Sequence, residues 1–231
     1  MGLQKFALIR RLFGVINEEL LKYTVLFIMF FVSLTVTTIS ILNVYNLNFM
    51  GSSITVAPGI IFFPLTFIIS NIIQEEYNQE VANTVVFTAL WADGIMVSML
   101  CFIGILGENQ KYYDVFTPLP KVWTISCTAI IISSFLNNAI FKKIRQKLNK
   151  GFMGLFISIM TSSVSAETIL SCLALPSILM LHEHATNRFS AVILVLGYKI
   201  LFSVLAAIIY AFVKTILQYK NNETLELKTI N

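Results

Sequence analysis

The chain has 231 residues, of which 57% are hydrophobic and only 12% are charged, and its net charge is +4. Because a soluble domain is about 45–50% apolar and about a quarter charged, this composition excludes an ordinary soluble enzyme or binding domain. It predicts an all-α integral membrane protein, a compact bundle of about six transmembrane helices of roughly 20 residues each, with no room for a separate soluble domain.

Three regions are predicted in chain order. Residues 1–22 form a cytoplasmic N-terminal arm, residues 23–217 form the six-span transmembrane domain, and residues 218–231 form a polar, frayed cytoplasmic tail. The spans are predicted at about residues 23–42, 54–74, 81–106, 122–141, 152–175 and 189–217, and Pro176 is expected to end or kink the fifth of them. The connections are an uncharged linker at 43–53, a tight turn near residues 75–80, a polar loop at 107–121, a basic loop at 142–150 and a loop near residues 181–188.

The distribution of Lys and Arg predicts the orientation of this bundle. With the N-terminus inside, twelve of the sixteen lie at the cytoplasmic ends of the spans, three lie on the other side, and Lys199 lies within the sixth span. Cytoplasmic loops of membrane proteins carry an excess of Lys and Arg, so both termini are predicted to be cytoplasmic. Spans one to three and four to six would then run in opposite senses, as in a 3+3 inverted repeat.

The second span carries two rows of polar side chains. Helical neighbours are three and four residues apart, so one row joins Thr66, Ser70 and Gln74, and the next contains Asn71 and Glu75. Lipid offers these groups no hydrogen-bond partner, so the rows must face protein or an aqueous cavity. Two interpretations follow: a polar seam that joins helices, or a surface that binds a polar ligand.

Three charged residues are predicted within the membrane. A charge at the centre of a spanning helix costs about 2.5–3.5 kcal/mol on insertion scales, so Glu167 and Lys199, on neighbouring spans, are candidates for an ion pair. Such a pair is either a structural bridge or part of a ligand site. Asp93 is expected to lie near the end of its span, in contact with water.

Catalytic and metal-binding alternatives find little support. Zinc-hydrolase, serine-hydrolase, phosphate-loop and CxxC motifs are all missing from the sequence. His182 and His184 lie in an extramembrane loop, one residue apart, and lack sequence partners for a metal. No enzymatic activity, cofactor or metal is therefore predicted.

One segment of the second span resembles a known family. The segment PLTFIISNIIQEEYNQEVAN, residues 64–83, resembles the signature of the queuosine precursor transporter family, also described as a vitamin uptake transporter group. The residues that match as they stand are Pro64, Leu65, Thr66, Phe67, Glu75, Tyr77 and Ala82, with Ser70 and Gln74 as conservative stand-ins.

The resemblance extends over about residues 58–213. The segment SFLNNAIFKK, residues 134–143, is similar to the end of the family's fourth span. The segment SVSAET, residues 163–168, is similar to the family's Ser-Gln-x-x-Asp-Thr motif, and Lys199 is similar to the lysine of its sixth span. The chain departs from the family pattern at Leu155, Val164 and three asparagines: Asn71 replaces an acidic residue, Asn78 a glycine and Asn83 an arginine.

The resemblance implies a bacterial inner-membrane importer of a queuosine precursor, a 7-deazaguanine base or queuine, used for tRNA modification. Its partners would be a small purine-like substrate and the lipid bilayer, and no nucleic acid. The protein partner would be either a second copy of the chain or an energising subunit. Asn71 leaves open which heterocycle of this class is carried. The alternatives are a substrate-binding subunit of a vitamin-type uptake complex that needs an energising partner, and a structural or assembly membrane protein. The predicted substrate-binding residues are Thr66, Ser70, Asn71, Gln74, Glu75, Asn138, Ser163, Glu167 and Lys199.

Overall fold

The protein is a bundle of long helices. The computed structural model describes residues 18–40, 45–49, 52–56, 59–107, 110–148, 151–180 and 188–230. The elements are, in order, α1 Glu18–Ser40, β1 Tyr45–Phe49, β2 Ser52–Val56, α2 Gly59–Glu76, α3 Gln79–Leu106, α4 Gln110–Phe116, α5 Leu119–Lys147, α6 Phe152–Met180 and α7 Arg188–Ile230.

Five helices of the described part, α1, α3, α5, α6 and α7, are long and apolar enough to cross a membrane. The sixth long helix, α2, has 18 residues, which gives a length of about 27 Å, close to the thickness of the bilayer's hydrocarbon core. The predicted all-α membrane bundle is therefore confirmed.

Helix α2 lies at the centre of the bundle and contacts all five other long helices. Its apolar residues Phe67, Ile69 and Ile73 are buried in the main core, where they pack with residues such as Val85 on α3. The outer surfaces of α3 and α7 expose large apolar side chains, Phe102 and Leu205 among them. These outer surfaces suit lipid, so α2 is the helix best shielded from it.

The linker between the first two spans holds a structure that the sequence analysis missed. Strands β1 and β2 form an antiparallel hairpin in which Tyr45 pairs with Val56 and Phe49 pairs with Ser52. The sequences YNLNF and SSITV contain the aromatic and β-branched residues that strands favour. The second span accordingly begins at Gly59, later than the predicted residue 54.

The turn between α2 and α3 is as tight as predicted. Only Tyr77 and Asn78 lie between the two helices, and the Asn78 side chain accepts a 2.9 Å hydrogen bond from the Val81 backbone N–H. This N-cap satisfies one of the free donors at the start of α3. The departure from a family glycine at position 78 thus places a capping side chain here.

Several predicted helix ends lie short of the observed ones. Helix α5 continues through the predicted basic loop to Lys147, α6 continues past Pro176 to Met180, and α7 continues through the predicted tail to Ile230. Part of the polar loop at 107–121 forms the short helix α4. Most of the N-terminal arm, residues 1–17, and the loop with His182 and His184 lie outside the described residues.

Candidate functional site

A layer of amide and hydroxyl side chains joins α2 to α3, α5 and α6, and we call it the amide layer. All of its members but Asn83 are buried. They are Ser70, Asn71 and Gln74 on α2, Asn83 on α3, Asn137 and Asn138 on α5, and Ser162 and Ser163 on α6. The polar rows that were read from the second span therefore face protein rather than lipid.

Asn71 is the hub of the amide layer. Its Nδ2 donates to Ser162 Oγ at 3.1 Å and to Ser163 Oγ at 2.9 Å. Its Oδ1 accepts a hydrogen bond from Asn137 Nδ2 at 2.9 Å. Both donors and the oxygen of this amide are engaged, so Asn71 ties α2 to α5 and α6 at once.

Asn138 is the second hub. Its Oδ1 accepts from Ser70 Oγ at 2.9 Å, its Nδ2 donates to Asn83 Oδ1 at 2.7 Å, and its backbone carbonyl accepts from Gln74 Nε2 at 2.9 Å. Two acceptors of this layer stay unused among the described residues, Gln74 Oε1 and Asn137 Oδ1, and both are buried. Buried polar atoms without a partner are costly, so these two oxygens are available to a hydrogen-bond donor.

The expected ion pair between α6 and α7 is present. Lys199 Nζ lies 2.9 Å from Glu167 Oε2, and the Glu167 side chain has no solvent exposure. Lys199 also lies 3.3 Å from Ser171 Oγ and 5.2 Å from the centre of the Phe63 ring on α2. Glu167 Oε1 has no hydrogen-bond partner among the described residues, so half of the carboxylate is uncommitted.

A second group of charges lies where α2 ends, and we call it the turn-end cluster. Arg145 donates two hydrogen bonds to Glu75, from Nε to Oε2 at 2.9 Å and from NH2 to Oε1 at 2.8 Å. Lys214 lies 2.5 Å from Glu76 Oε1 and 3.5 Å from Glu75 Oε1, and Lys22 also pairs with Glu76. The cluster joins α1, α2, α5 and α7 at this end of the bundle.

A cavity of about 600 Å³ opens beside the turn-end cluster. Its walls include Gln74 and Glu75 from α2 and Phe141 and Arg145 from α5. Its volume lies within the range of about 300–1,000 Å³ that is usual for small-molecule pockets. Since Gln74 belongs to both the cavity and the amide layer, the cavity leads towards the polar interior.

Asp93 is not placed as expected. The prediction of a hydrated residue near a span end is wrong, since Asp93 lies midway along α3 and is only 1% exposed. Its Oδ2 accepts from Thr38 Oγ1 at 2.9 Å and its Oδ1 accepts from Thr35 Oγ1 at 3.2 Å. Both hydroxyl groups belong to α1.

The nine predicted substrate-binding residues fall into separate groups. Five lie in the amide layer, two form the ion pair and Glu75 belongs to the turn-end cluster, while the Thr66 hydroxyl donates to the Phe63 carbonyl of its own helix at 2.7 Å. The prediction did not include Asn83, Asn137, Ser162, Arg145 and Lys214. Asn137 carries the same signal as Asn138 beside it, whereas Arg145 was assigned to a basic loop.

The described part of the chain contains no cluster of side chains that could bind a metal ion. There, no group of three or more His, Cys, Asp and Glu side chains is arranged to hold an ion. The polar interior is instead built from amides, hydroxyls and one ion pair, which are groups that bind neutral polar molecules through hydrogen bonds.

Comparison with known proteins identifies the family. The family described as "Putative vitamin uptake transporter" matches residues 57–213, more than half of the chain. No curated protein and no solved structure matches the chain significantly. The matched range contains the amide layer, the ion pair and most of the turn-end cluster, and it agrees with the range of about residues 58–213 over which the sequence resembles this group. The chain is a multi-pass membrane protein that belongs to the vitamin uptake transporter family.

Proposed function

We propose that this protein imports a small polar heterocycle, namely a queuosine precursor such as queuine or another 7-deazaguanine base, across the bacterial inner membrane. The substrate would bind between α2, α5, α6 and α7, with Gln74, Glu167 and Lys199 in contact with it. Five of the other predicted residues would shape this site. Ser70, Asn71, Asn138 and Ser163 would do so by tying the helices together, and Glu75 by closing one end of it.

The observation that carries the proposal is the half-used carboxylate of Glu167. It is completely buried, one oxygen faces Lys199, and the other has no hydrogen-bond partner among the described residues. A guanine-like base offers amino and ring N–H donors, and a carboxylate is a strong acceptor for them. The free oxygens of Gln74 and Asn137 are further acceptors of the kind that such a donor-rich base requires.

Lys199 supplies the complementary chemistry. In the empty site its charge offsets that of Glu167, and in the loaded site it can donate to a carbonyl or ring-nitrogen acceptor of the base. The Phe63 ring, 5.2 Å from Lys199 Nζ, adds a flat apolar surface against which a heterocycle can stack. A site that donates and accepts beside an aromatic face favours a planar polar ring over a flexible acid or sugar.

The orientation and the path of the substrate belong to the same proposal. The positive-inside distribution of Lys and Arg supports cytoplasmic termini, and the 600 Å³ cavity at the turn-end cluster would then be the inner vestibule. In this structure Glu75, Arg145 and Lys214 bridge α2, α5 and α7 at that end. Release into the cytoplasm would require these ion pairs to separate.

The experiment that tests the proposal is the recovery of queuosine in tRNA in cells that cannot make the precursor and have this chain as their only importer. The wild-type chain should restore queuosine when queuine is supplied. Glu167→Gln removes the charge but keeps the size, and it should reduce recovery at least about tenfold, because a charge-assisted bond to the base is lost.

The matched control is Asp114→Asn, which removes an exposed carboxylate on α4 outside the proposed site. It should leave recovery unchanged, and both variants should be present in the membrane at the wild-type level. Normal recovery by Glu167→Gln would remove Glu167 from the site. A wild-type chain that restores nothing from queuine or other 7-deazaguanine bases would refute the proposed substrate class.

A further inference from the structure

Four carboxyl side chains of the described residues are buried or half-buried, and three of them face a cation. Glu75 faces Arg145, Glu76 faces Lys214, and Glu167 faces Lys199. Asp93 differs from them. It is one of the two that are fully buried, and no Lys or Arg of the described chain forms an ion pair with it. A lone ionised carboxylate is poorly tolerated in such a place, and the usual outcome is that it takes up a proton.

We propose that Asp93 is the proton-binding site that couples import to the proton gradient, at a place separate from the substrate site. This inference rests on the proposed import function. It assigns the proton to Asp93 rather than to Glu167, because Lys199 already offsets the charge of Glu167 at 2.9 Å. Ionisable residues within membranes commonly mark ion pathways and proton relays.

The hydroxyl groups around Asp93 can serve both of its protonation states. Thr38 Oγ1 lies 2.9 Å from Asp93 Oδ2 and 3.1 Å from the Leu34 carbonyl oxygen, and a hydroxyl group has only one proton to donate. When Asp93 is ionised, Thr38 donates to it. When Asp93 is protonated, its own O–H donates to Thr38, whose hydroxyl then turns to Leu34. A proton can thus be gained or lost with the rotation of one hydroxyl.

The other neighbours of Asp93 do not compete for this role. Helix α1 contributes the hydroxyls of Thr35 and Thr38. Helix α5 contributes the half-buried thiol of Cys127 and the indole N–H of Trp123, which lies near the carboxyl group and can donate to it. Helices α2 and α4, which also pack against α3, bring no charged side chain of the described residues to Asp93. The carboxyl group is therefore the main titratable group of this pocket.

The position of the site explains how proton binding could be tied to movement. Asp93 is about 20 Å from either end of α3, which is near the middle of the membrane. Because both hydroxyl donors come from α1, a separation of α1 from α3 would break these contacts and open the carboxyl group to water. Protonation of Asp93 would favour the state in which α1 and α3 are in contact. Loss of the proton to water on the other side of the membrane would favour the state in which they are apart. The proton binds from water on one side and returns to water on the other, so no further reactant is needed.

Two measurements test the proposal, and the first does not depend on any substrate. Infrared difference spectra of the purified protein in lipid nanodiscs, recorded at mildly acidic and alkaline pH, should contain the C=O band of a protonated carboxyl group. Asp93→Asn should lack this band. Thr38→Val should shift it, because it removes the hydroxyl at 2.9 Å. The matched control Thr24→Val removes an exposed hydroxyl that donates only to its own helix, and it should leave the band unchanged.

The second measurement uses radiolabelled queuine and the protein in liposomes. An acidic exterior should accelerate uptake by the wild-type protein several-fold. Asp93→Asn, which imitates the protonated form, should still exchange queuine but lose this acceleration, whereas Asp114→Asn should keep it. The proposal is overturned if the carboxyl band persists in Asp93→Asn, or if the acceleration does. A wild-type protein that ignores queuine refutes the proposed substrate instead, and the infrared spectra still decide whether Asp93 holds a proton.

Discussion

Glu167 and Lys199 are the residues at which structural and functional roles are hardest to separate. Each side chain is almost completely buried, and the two are 2.9 Å apart. Removing one partner of a buried ion pair commonly costs about 3–5 kcal/mol, while replacing both by neutral residues of similar volume is often close to neutral. Stability and import should therefore respond differently to single and double substitutions.

We expect Lys199→Met to lower the free energy of unfolding by about 3 kcal/mol or more, because it leaves Glu167 buried and unpaired. The double variant Glu167→Gln with Lys199→Met should recover most of this loss but should not restore queuosine in tRNA. Denaturant unfolding in detergent and the tRNA assay measure the two effects. A stable double variant that imports normally would reduce the pair to a structural bridge.

At the scale of the elements, the contact between α3 and α5 depends on a residue without a side chain. A Cβ atom added at Gly94 would lie 2.7 Å from Cζ2 of Trp123 on α5, closer than such atoms approach. The Trp123 ring is rigid, so relief would require the two helices to move apart. Gly94 is next to Asp93, and the same contact holds the indole ring near the carboxyl group.

We expect Gly94→Ala to destabilise the protein by about 1–3 kcal/mol, the usual cost of overpacking. The control is Gly197→Ala on α7, where an added Cβ meets nothing within 4 Å. In this exposed helical position alanine should be neutral or stabilise by up to about 1 kcal/mol. Thermal unfolding of the two variants measures the difference in stability. Equal melting temperatures would contradict the prediction and show that the Trp123 ring can move to accommodate the added methyl group.

The helices also show which features of the fold and of the site could be predicted from the sequence. Spacing of three and four residues predicted that Ser70, Asn71 and Gln74 share one side of α2, and they do lie together in the amide layer. Periodicity along one helix cannot show which residues of another helix meet it. For that reason Asn137 and Ser162 were missed, and Arg145 was assigned to a loop although α5 continues to Lys147. Asp93 was misplaced because its threonine partners are more than 50 residues away in the chain.

At the scale of the whole molecule, the charge distribution predicts which side of the membrane each end of the bundle faces. The end that holds the turn-end cluster also holds the basic end of α5. The short helix α4 lies at the opposite end, since it connects the far ends of α3 and α5. The positive-inside rule predicts that the first of these ends faces the cytoplasm.

A cysteine at Lys143, an exposed position near the end of α5, should react with a membrane-impermeant maleimide only after cells are permeabilised. A cysteine at Tyr113 on α4 should react in intact cells. Both variants need a background without the three native cysteines. The reverse pattern of labelling would invert the orientation and move the vestibule to the outer side.

The central place of α2 has a consequence for how the chain is made. A ribosome delivers α2 to the membrane before α5 and α6 exist, yet Asn71 finds its partners Asn137 and Ser162 only on those later helices. Until they arrive, amide groups in α2 would be left facing lipid or the insertion machinery, each at a cost. The first three helices alone are thus an unfinished assembly, and a nascent chain interrupted after α3 should be a target for membrane quality control rather than a stable half.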